Sequence, residues 1–328
     1  MALKTAVLQL YVYDGLVDSY TSTDLRYTIT KDIIGDDTKI LFEIAELVRD
    51  YITHDFNNDY NSDAKWVRCT TTLFDENEVA LTYSNPVTET FIAVDGYGFF
   101  EDQINPELSR HALITANTIY VPENTAGKLP IFAEGVGKVT IDSVDTQITD
   151  DGNTNQKIQY VTIPANSSTI QVYDTDDTTL LKTISINNIC EPKYTAFKVT
   201  FLNRYGAYED LFFFKKSTES FNVNDEKFKR NTVSNSSVSY DLYKGQEERY
   251  GTNARKSISL NTGFRNEDSN SSIEELFLSE NVYLRQDNKT LSIIPKSKSL
   301  TFKTSVNDKL INYTIDFEFA FNKINNVR

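Results

Sequence analysis

The sequence predicts a mainly β protein with a few short helices, built from antiparallel, sandwich-like domains. Two observations lead to this prediction. Of the 328 residues, 19 are Tyr and 20 are Phe, against a single Trp, and aromatic side chains favour strands. Short runs rich in Val, Ile, Thr, Tyr and Phe also recur along the chain between polar turns, which is typical of antiparallel sheets.

Residues 1–114 predict an α+β part with one amphipathic helix. Apolar residues alternate with mixed positions over residues 5–12, so we expect an opening strand there. From Ile40 to Tyr51 the apolar residues recur at helical spacing, and Asp37 or Thr38 is a suitable N-cap for a helix. Further strands are expected at residues 65–72, 79–83 and 88–94.

Residues 115–190 predict a small β-sandwich-like module, because four short apolar runs alternate with polar turns from residue 139 to residue 186. Upstream of these runs, the segments Ile119 to Pro122 and Lys128 to Ala133 include Pro122 and Pro130 and predict a connector. The acidic turn at residues 174–177 suggests calcium. It lacks the glycine and closing glutamate of a helix-loop-helix site, so hydrogen bonding within the turn is favoured.

Residues 191–328 predict a β-rich part that completes a core with the N-terminal segment. Apolar positions alternate from Phe197 to Phe201 and are continuous from Leu211 to Phe214. This pattern predicts a half-buried strand, a turn and a buried strand. Gly206 lies in the turn at residues 203–210, where it can adopt a positive φ.

Two further features of this part concern a long polar stretch and a helix. Residues 217–251 are polar and charged, so we expect a long loop, and such loops often make assembly contacts. Ser271 and Ser272 stand three residues before Glu274 and Glu275. This spacing is that of a capping box and predicts a short helix.

The closing segment has the clearest two-residue period in the chain. Its apolar residues alternate with polar ones, which predicts a long amphipathic strand. Such a strand near a terminus can pair within its own sheet or with a neighbouring subunit. The apolar residues are Tyr313, Ile315, Phe317, Phe319 and Phe321.

Charge and residue counts argue against several classes of function. The formal charge of −14 does not suit tight nucleic-acid binding, which needs a basic surface. Two cysteines cannot build a disulfide framework, and His54 and His111 are too few for a zinc site. No apolar run has the length of a membrane span, and the start lacks a secretory signal. We therefore expect synthesis in the cytoplasm, with no metal, cofactor or membrane partner.

No catalytic motif stands out, so the sequence does not predict an enzyme. A glycoside hydrolase would need two positioned carboxylates. With 47 acidic residues in the chain, such pairs are plentiful and carry no information.

Five segments resemble those of virion structural proteins of tailed bacteriophages. They are Phe42 to Ile52 (FEIAELVRDYI), Val199 to Gly206 (VTFLNRYG), Leu260 to Phe264 (LNTGF), Ser279 to Leu284 (SENVYL) and Tyr313 to Ala320 (YTIDFEFA). The resemblance implies a neck or tail component of the virion that forms a ring or tube with copies of itself and contacts other virion proteins. It transfers no catalytic residues.

The candidate subunit contacts lie on the closing strand and in the long polar stretch. They are Tyr313, Ile315, Phe317, Phe319 and Phe321 on the strand, and Lys227, Arg230 and Tyr240 in the stretch. For the strand, the alternative is an ordinary core strand. For the whole protein, the alternative is a carbohydrate- or receptor-binding β-sandwich module of a tail, with Tyr205, Tyr208, Tyr240, Tyr243 and Tyr250 as its binding surface.

Overall fold

A computed structural model describes residues 3–34, 39–81, 86–108, 112–191, 193–231, 242–297 and 311–324. Strands dominate, and nearly all neighbouring strands are antiparallel, which confirms the predicted fold class. The chain divides into two compact units. Unit 1 comprises Met1–Cys190, Thr200–Leu211 and Asp268–Asn281, and unit 2 comprises Glu191–Val199, Phe212–Glu267 and Val282–Arg328. Residues 191–328, predicted as one part, are thus shared between both units.

The first sheet of unit 1 has the strand order β2-β1-β3-β4. Its strands are β1 (Thr5–Tyr13), β2 (Leu25–Asp32), β3 (Ala64–Phe74) and β4 (Val87–Val94). In β1 the predicted alternation is confirmed, because Leu8, Leu10 and Val12 are buried. Of the strand expected at residues 79–83, the described residues form only a bridge between Ala80 and Phe74.

Unit 1 also contains the strands of the predicted small module. A five-stranded sheet has the order β5-β11-β10-β7-β8, and β6 pairs with β9 separately. These strands are β5 (Thr118–Pro122), β6 (Gly127–Phe132), β7 (Lys138–Ile141), β8 (Val144–Gln147), β9 (Ile158–Ile163), β10 (Thr169–Tyr173) and β11 (Leu180–Ile189). The connector prediction is wrong, since Pro122 ends β5 and Pro130 lies in β6. Both strands are sheet edges, where a missing N–H costs no ladder bond.

The third sheet has the order β13-β12-β16-β17-β18-β15-β14. Its strands are β12 (Phe197–Leu202), β13 (Tyr208–Phe213), β14 (Thr218–Lys229), β15 (Glu247–Asn261), β16 (Val282–Gln286), β17 (Lys289–Pro295) and β18 (Thr314–Phe319). The division between the units falls within β12 and β13. The predicted strand, turn and strand are confirmed, and Gly206 has the expected positive φ of 72°.

The first helix is shorter than the periodicity predicts, whereas the short helix expected around Glu274 is confirmed. The described helices are α1 (Ala45–Arg49), α2 (Thr154–Lys157) and α3 (Asn270–Leu278). The helix expected from Ile40 to Tyr51 is reduced to α1, and residues 35–38 lie outside the described residues. The capping-box prediction for α3 is wrong, because Ser269 is its N-cap and makes no side-chain cap bond.

The core of unit 2 forms where β15 and β18 pair. Ile258 pairs with Phe317 and Leu260 pairs with Ile315, and all four side chains are buried. The ring of Phe213 meets that of Phe317 edge to face, with 6.0 Å between centroids. This geometry is favourable for aromatic pairs.

We expect Phe317→Ala to lower the free energy of unfolding by about 3–5 kcal/mol, because it leaves a cavity in a closely packed core. Phe264→Ala is the matched control. Phe264 is 58% exposed, so its truncation should change stability by less than about 0.5 kcal/mol. Urea denaturation followed by circular dichroism measures both variants. Equal losses would contradict this assignment of core and surface.

Candidate functional site

The closing strand buries most of the residues proposed as subunit contacts. Tyr313, Ile315, Phe317 and Phe319 are buried within unit 2, and their faces are covered by this chain. Phe321 lies just beyond β18, is 47% exposed and packs against Phe319 with 5.6 Å between ring centroids. The burial matches the alternative of an ordinary core strand. The contact role of these residues stays a prediction.

The polar stretch at residues 217–251 is not the predicted loop. Residues 218–229 form β14, and β15 begins at Glu247, so the two strands make a long antiparallel ribbon. β18 pairs with β15 only over Ser257–Asn261. The Lys323 amide bonds to Ala254 O, so among the described residues the ribbon is two-stranded from Asn253 to Glu247. Every residue of β14 is exposed. This segment has no sustained apolar alternation, because neither of its faces is buried in the chain.

The register of the ribbon defines its two faces. On the odd face, Glu219, Phe221 and Val223 lie opposite Ile258, Lys256 and Ala254. On the even face, Asn222 and Asn224 lie opposite Arg255 and Asn253. The register then shifts, because Gly251 and Thr252 together oppose Asp225. Gly251 has a φ of 60°, as expected for the glycine of a β-bulge.

Exposed aromatic and aliphatic side chains mark the tip of the ribbon. Phe228 and Tyr250 meet edge to face at 5.8 Å, and Leu242 and Tyr243 are 90% and 83% exposed. We call these four residues the ribbon tip. Large apolar side chains grouped in this way indicate an interaction surface.

The predicted basic contacts also lie on the ribbon. Lys227 Nζ is 3.9 Å from Glu247 Oε2, and Arg230 Nη1 is 3.3 Å from Glu248 Oε2. Both pairs are exposed, so each adds little to stability. Tyr240 lies outside the described residues. Of the other tyrosines proposed to bind sugar, Tyr208 is buried and Tyr205 is half-buried, whereas Tyr243 and Tyr250 belong to the ribbon tip.

A polar cavity of about 470 Å³ lies against the even face of the ribbon. Four asparagines line it, together with Arg255, Lys296 and three carboxylates. Arg255 is held in place, since its Nη1 donates to Glu318 Oε1 (2.9 Å) and its Nε donates to Asn322 Oδ1 (3.1 Å). The asparagines are Asn222, Asn224, Asn253 and Asn322.

Unit 1 contains a cleft of about 540 Å³ with an ionic cluster at its wall. Asp95 accepts from Arg49 Nε (2.9 Å) and lies 2.7 Å from His54 Nε2, while Arg49 Nη2 donates to Glu280 Oε2 (2.6 Å). Burial alone would raise the pKa of Asp95, but the His54 bond and the Arg49 charge lower it. Sequence reasoning missed this cluster because its members are far apart in the chain. His111 lies outside the described residues.

A second polar cluster in unit 1 is buried. The Nδ2 of Asn203 donates to Leu113 O (2.6 Å) and to Glu209 Oε2 (3.1 Å). Glu275 accepts from Thr115 Oγ1 at 2.5 Å and from the Arg204 amide at 3.3 Å. Burial, with Glu275 nearby, raises the pKa of Glu209 to about 7, and burial also raises the pKa of Glu275.

The cation in this cluster is also perturbed by burial. Lys182 Nζ donates to the carbonyls of Ile114 (2.6 Å) and Thr115 (3.3 Å), and burial lowers its pKa. The spacing of Glu209, Glu275 and Lys182 in the chain gave no signal, since they come from three separate segments of unit 1.

The acidic turn after β10 holds its own backbone. Asp176 Oδ1 accepts from the amides of Thr178 (2.8 Å) and Thr179 (2.7 Å), as the favoured alternative to calcium predicts. In the described part of the chain, no three His, Cys, Asp or Glu side chains are grouped as metal ligands. No helix among the described residues is both long and apolar enough to span a bilayer.

Comparison with known proteins gave no relatives. No protein-family model matches the chain, and no curated protein or solved structure shows significant similarity to it.

The buried carboxylates predict how stability depends on pH. The folded pKa of Glu209, about 7, lies above its ordinary value of 4.5, so the folded state holds the proton more tightly. Stability should therefore fall as pH rises from about 4.5 to about 7. We expect Glu209→Gln to remove part of this loss. Relative to the wild type, it should gain on the order of 2–3 kcal/mol between pH 4.5 and pH 8.

Chemical denaturation at the two pH values tests this expectation. The matched control is Glu274→Gln, which changes an exposed carboxylate on the same helix as Glu275 and should keep the wild-type dependence. If Glu209→Gln and the control behave alike, the buried carboxylate is not the source of the pH dependence.

Proposed function

We propose that the protein is a structural subunit of a tailed-phage particle. In this proposal it forms a ring or tube in the neck or tail through repeated contacts with copies of itself and with other virion proteins. The observation that carries the proposal is the ribbon of β14 and β15, with its exposed tip. The resemblance of five segments to tailed-phage virion proteins supplies the kind of particle.

The ribbon has the properties of a surface that gains stability from a partner. An isolated two-stranded hairpin is marginally stable in water, and a third strand or a packed face is needed for more. From Asn253 to Glu247 the described ribbon has neither, because β18 pairs with Ser257–Asn261 and the Lys323 amide reaches only as far as Ala254 O. A neighbouring protein that covered the ribbon tip would bury apolar area that now contacts solvent.

Charge also distinguishes the ribbon from the rest of the protein. The whole chain carries a formal charge of −14, whereas β14 and β15 together carry five acidic and five basic side chains. Copies of an acidic protein repel one another over a Debye length of about 8 Å at physiological salt. The neutral ribbon is a place where two copies can approach with little repulsion.

Sedimentation velocity over a concentration series tests the proposal. The wild type should form a ring-sized oligomer, and replacing Leu242, Tyr243 and Tyr250 by Ser should weaken association by at least about tenfold. Because these side chains are exposed, the variant should keep its melting temperature. Phe100→Ser, at a fully exposed position in unit 1, is the matched control and should assemble normally.

The particle itself is tested by immunogold labelling of purified virions, which should place the protein at the neck or tail. A wild type that stays monomeric at every concentration, and that no virion carries, would refute the proposal.

The polar cavity favours a second candidate function, the binding of a carbohydrate. Asparagine amides both donate and accept hydrogen bonds, and so do sugar hydroxyls. Tyr250 is 49% exposed, precedes the lining residue Gly251 and hydrogen-bonds to the lining carboxylate of Glu226. A glycan array decides between the candidates. Saturable binding of one sugar class by a stable monomer, lost in Asn224→Leu, would favour this second function.

A further inference from the structure

The outer edge of β14 has an ordered set of backbone groups without a neighbouring strand. β14 ends its sheet, and within the described ranges only β15 pairs with it. Such an edge is a template for another strand. It extends over 12 residues, all of them exposed.

The parity of the ladder shows which residues face outward. The Arg230 amide donates to Gln246 O (2.9 Å) and the Thr262 amide donates to Tyr313 O (2.9 Å). In an antiparallel ladder, residues that bond to one neighbouring strand alternate with residues that bond to the other side. Because Thr262 bonds toward the β18 side, the odd-numbered residues at the base of β15 bond to β14, and they lie opposite even-numbered residues of β14. The bond of Arg230 gives the same result at the other end, so the even-numbered residues of β14 bond to β15. The Lys323 amide donates to Ala254 O (2.8 Å), away from β14, which agrees with this parity. Odd-numbered residues of β14 therefore direct their N–H and C=O groups toward solvent.

This parity restricts how two β14 strands can pair. An antiparallel pair about a two-fold axis must bring odd-numbered residues opposite each other. We call the residue that lies on this axis, opposite its own copy, the centre of the pairing. A centre at Asn222 would set Glu219 against Asp225, and a centre at Asp225 would set that carboxylate against itself. Like charges directly opposite are destabilising. Centres further out pair fewer residues of β14.

A centre at Val223 sets opposite charges and one apolar pair against each other, and it places Phe221 opposite Asp225. Glu219 of one copy then faces Lys227 of the other, because the strand is acidic near its start and basic near its end. Val223 faces Val223, with Phe221 on the diagonal, within reach of an aromatic side chain. These two side chains are 40% and 57% exposed in the single chain. A centre at Asn224 gives no apolar pair, because it sets Val223 against Asp225 and Phe221 against Lys227.

We infer that β14 pairs with β14 of a second copy, as antiparallel strands about a two-fold axis at Val223. The two ribbons then form a four-stranded sheet. The inference rests on the proposed function, in which copies contact each other through the ribbon. A two-fold contact joins subunits in pairs and does not close a ring. The ribbon tip remains available for the contacts that build the ring.

Disulfide cross-linking tests the register. Cys190 is exposed, so the background is Cys190→Ser. In that background Val223→Cys places two thiols across the axis, at a Cα separation of about 5.5 Å, which suits a disulfide. We expect most of the protein to form a cross-linked dimer on mild oxidation. Thr218→Cys is the matched control, because Thr218 is exposed, lies away from the ribbon tip, and its two copies would lie roughly 33 Å apart.

Charge exchange gives an independent test. Glu219→Lys and Lys227→Glu should each weaken the dimer by about tenfold, and the double variant should restore it. Within one chain these positions are eight residues apart, roughly 26 Å along the strand. Restoration therefore requires contact between two copies.

The outcomes separate the inference from the proposed function. Cross-linking from Thr218→Cys as fast as from Val223→Cys, or no restoration in the double variant, overturns the two-fold pairing. If the substitutions at the ribbon tip still abolish the ring in that case, the proposed function stands. A wild type that never associates contradicts both.

Discussion

Unit 1 depends on the hydrogen bonds of one buried amide. Asn203 is completely buried, and besides its two donor bonds its Oδ1 accepts from the amides of Tyr205 (3.1 Å) and Ala207 (3.2 Å). These bonds fix the turn between β12 and β13 and join it to the carbonyl of Leu113. An unpaired buried polar group costs about 1–3 kcal/mol. Loss of the Asn203 amide would leave several of its hydrogen-bonding partners unpaired at once. Gly206 is required in the same turn, since a Cβ there would meet the backbone of Asp95 at 3.1 Å.

The buried carboxylates follow from this arrangement. The turn brings Glu209 to the amide of Asn203, and it brings the Arg204 amide to Glu275. Each carboxylate thus gains a donor, but burial disfavours the charged form of both, and the nearby ammonium of Lys182 is disfavoured for the same reason. Such a cluster is stable only while its hydrogen-bond geometry is kept. A buried polar network with unpaired groups destabilises the folded state more than an apolar core would.

The parts of the fold that could be predicted are those where the burial of one face produces a periodic pattern of apolar residues in the sequence. The alternation in β1 and β18 was readable because one face of each strand is buried, and continuous apolar residues revealed β13. Prediction failed where that signal is absent. β14 is exposed on both faces, so its polar sequence resembled a loop, and β5 and β6 tolerate proline because they are edges. The contacts among Asn203, Glu209 and Glu275 join distant segments, and no local pattern records such contacts.

The exposure of β14 has a physical consequence for a protein with this charge. An unpaired edge with exposed Phe221 and Val223 invites pairing with any extended chain. Two features restrict which chain can pair with it. The general negative charge keeps other acidic copies at a distance unless they meet through their neutral ribbons. The order of charges along β14 then favours an antiparallel copy of the same strand, because a parallel copy in register would place Glu219 against Glu219 and Lys227 against Lys227. Backbone bonds would supply affinity, and charge order would select the partner.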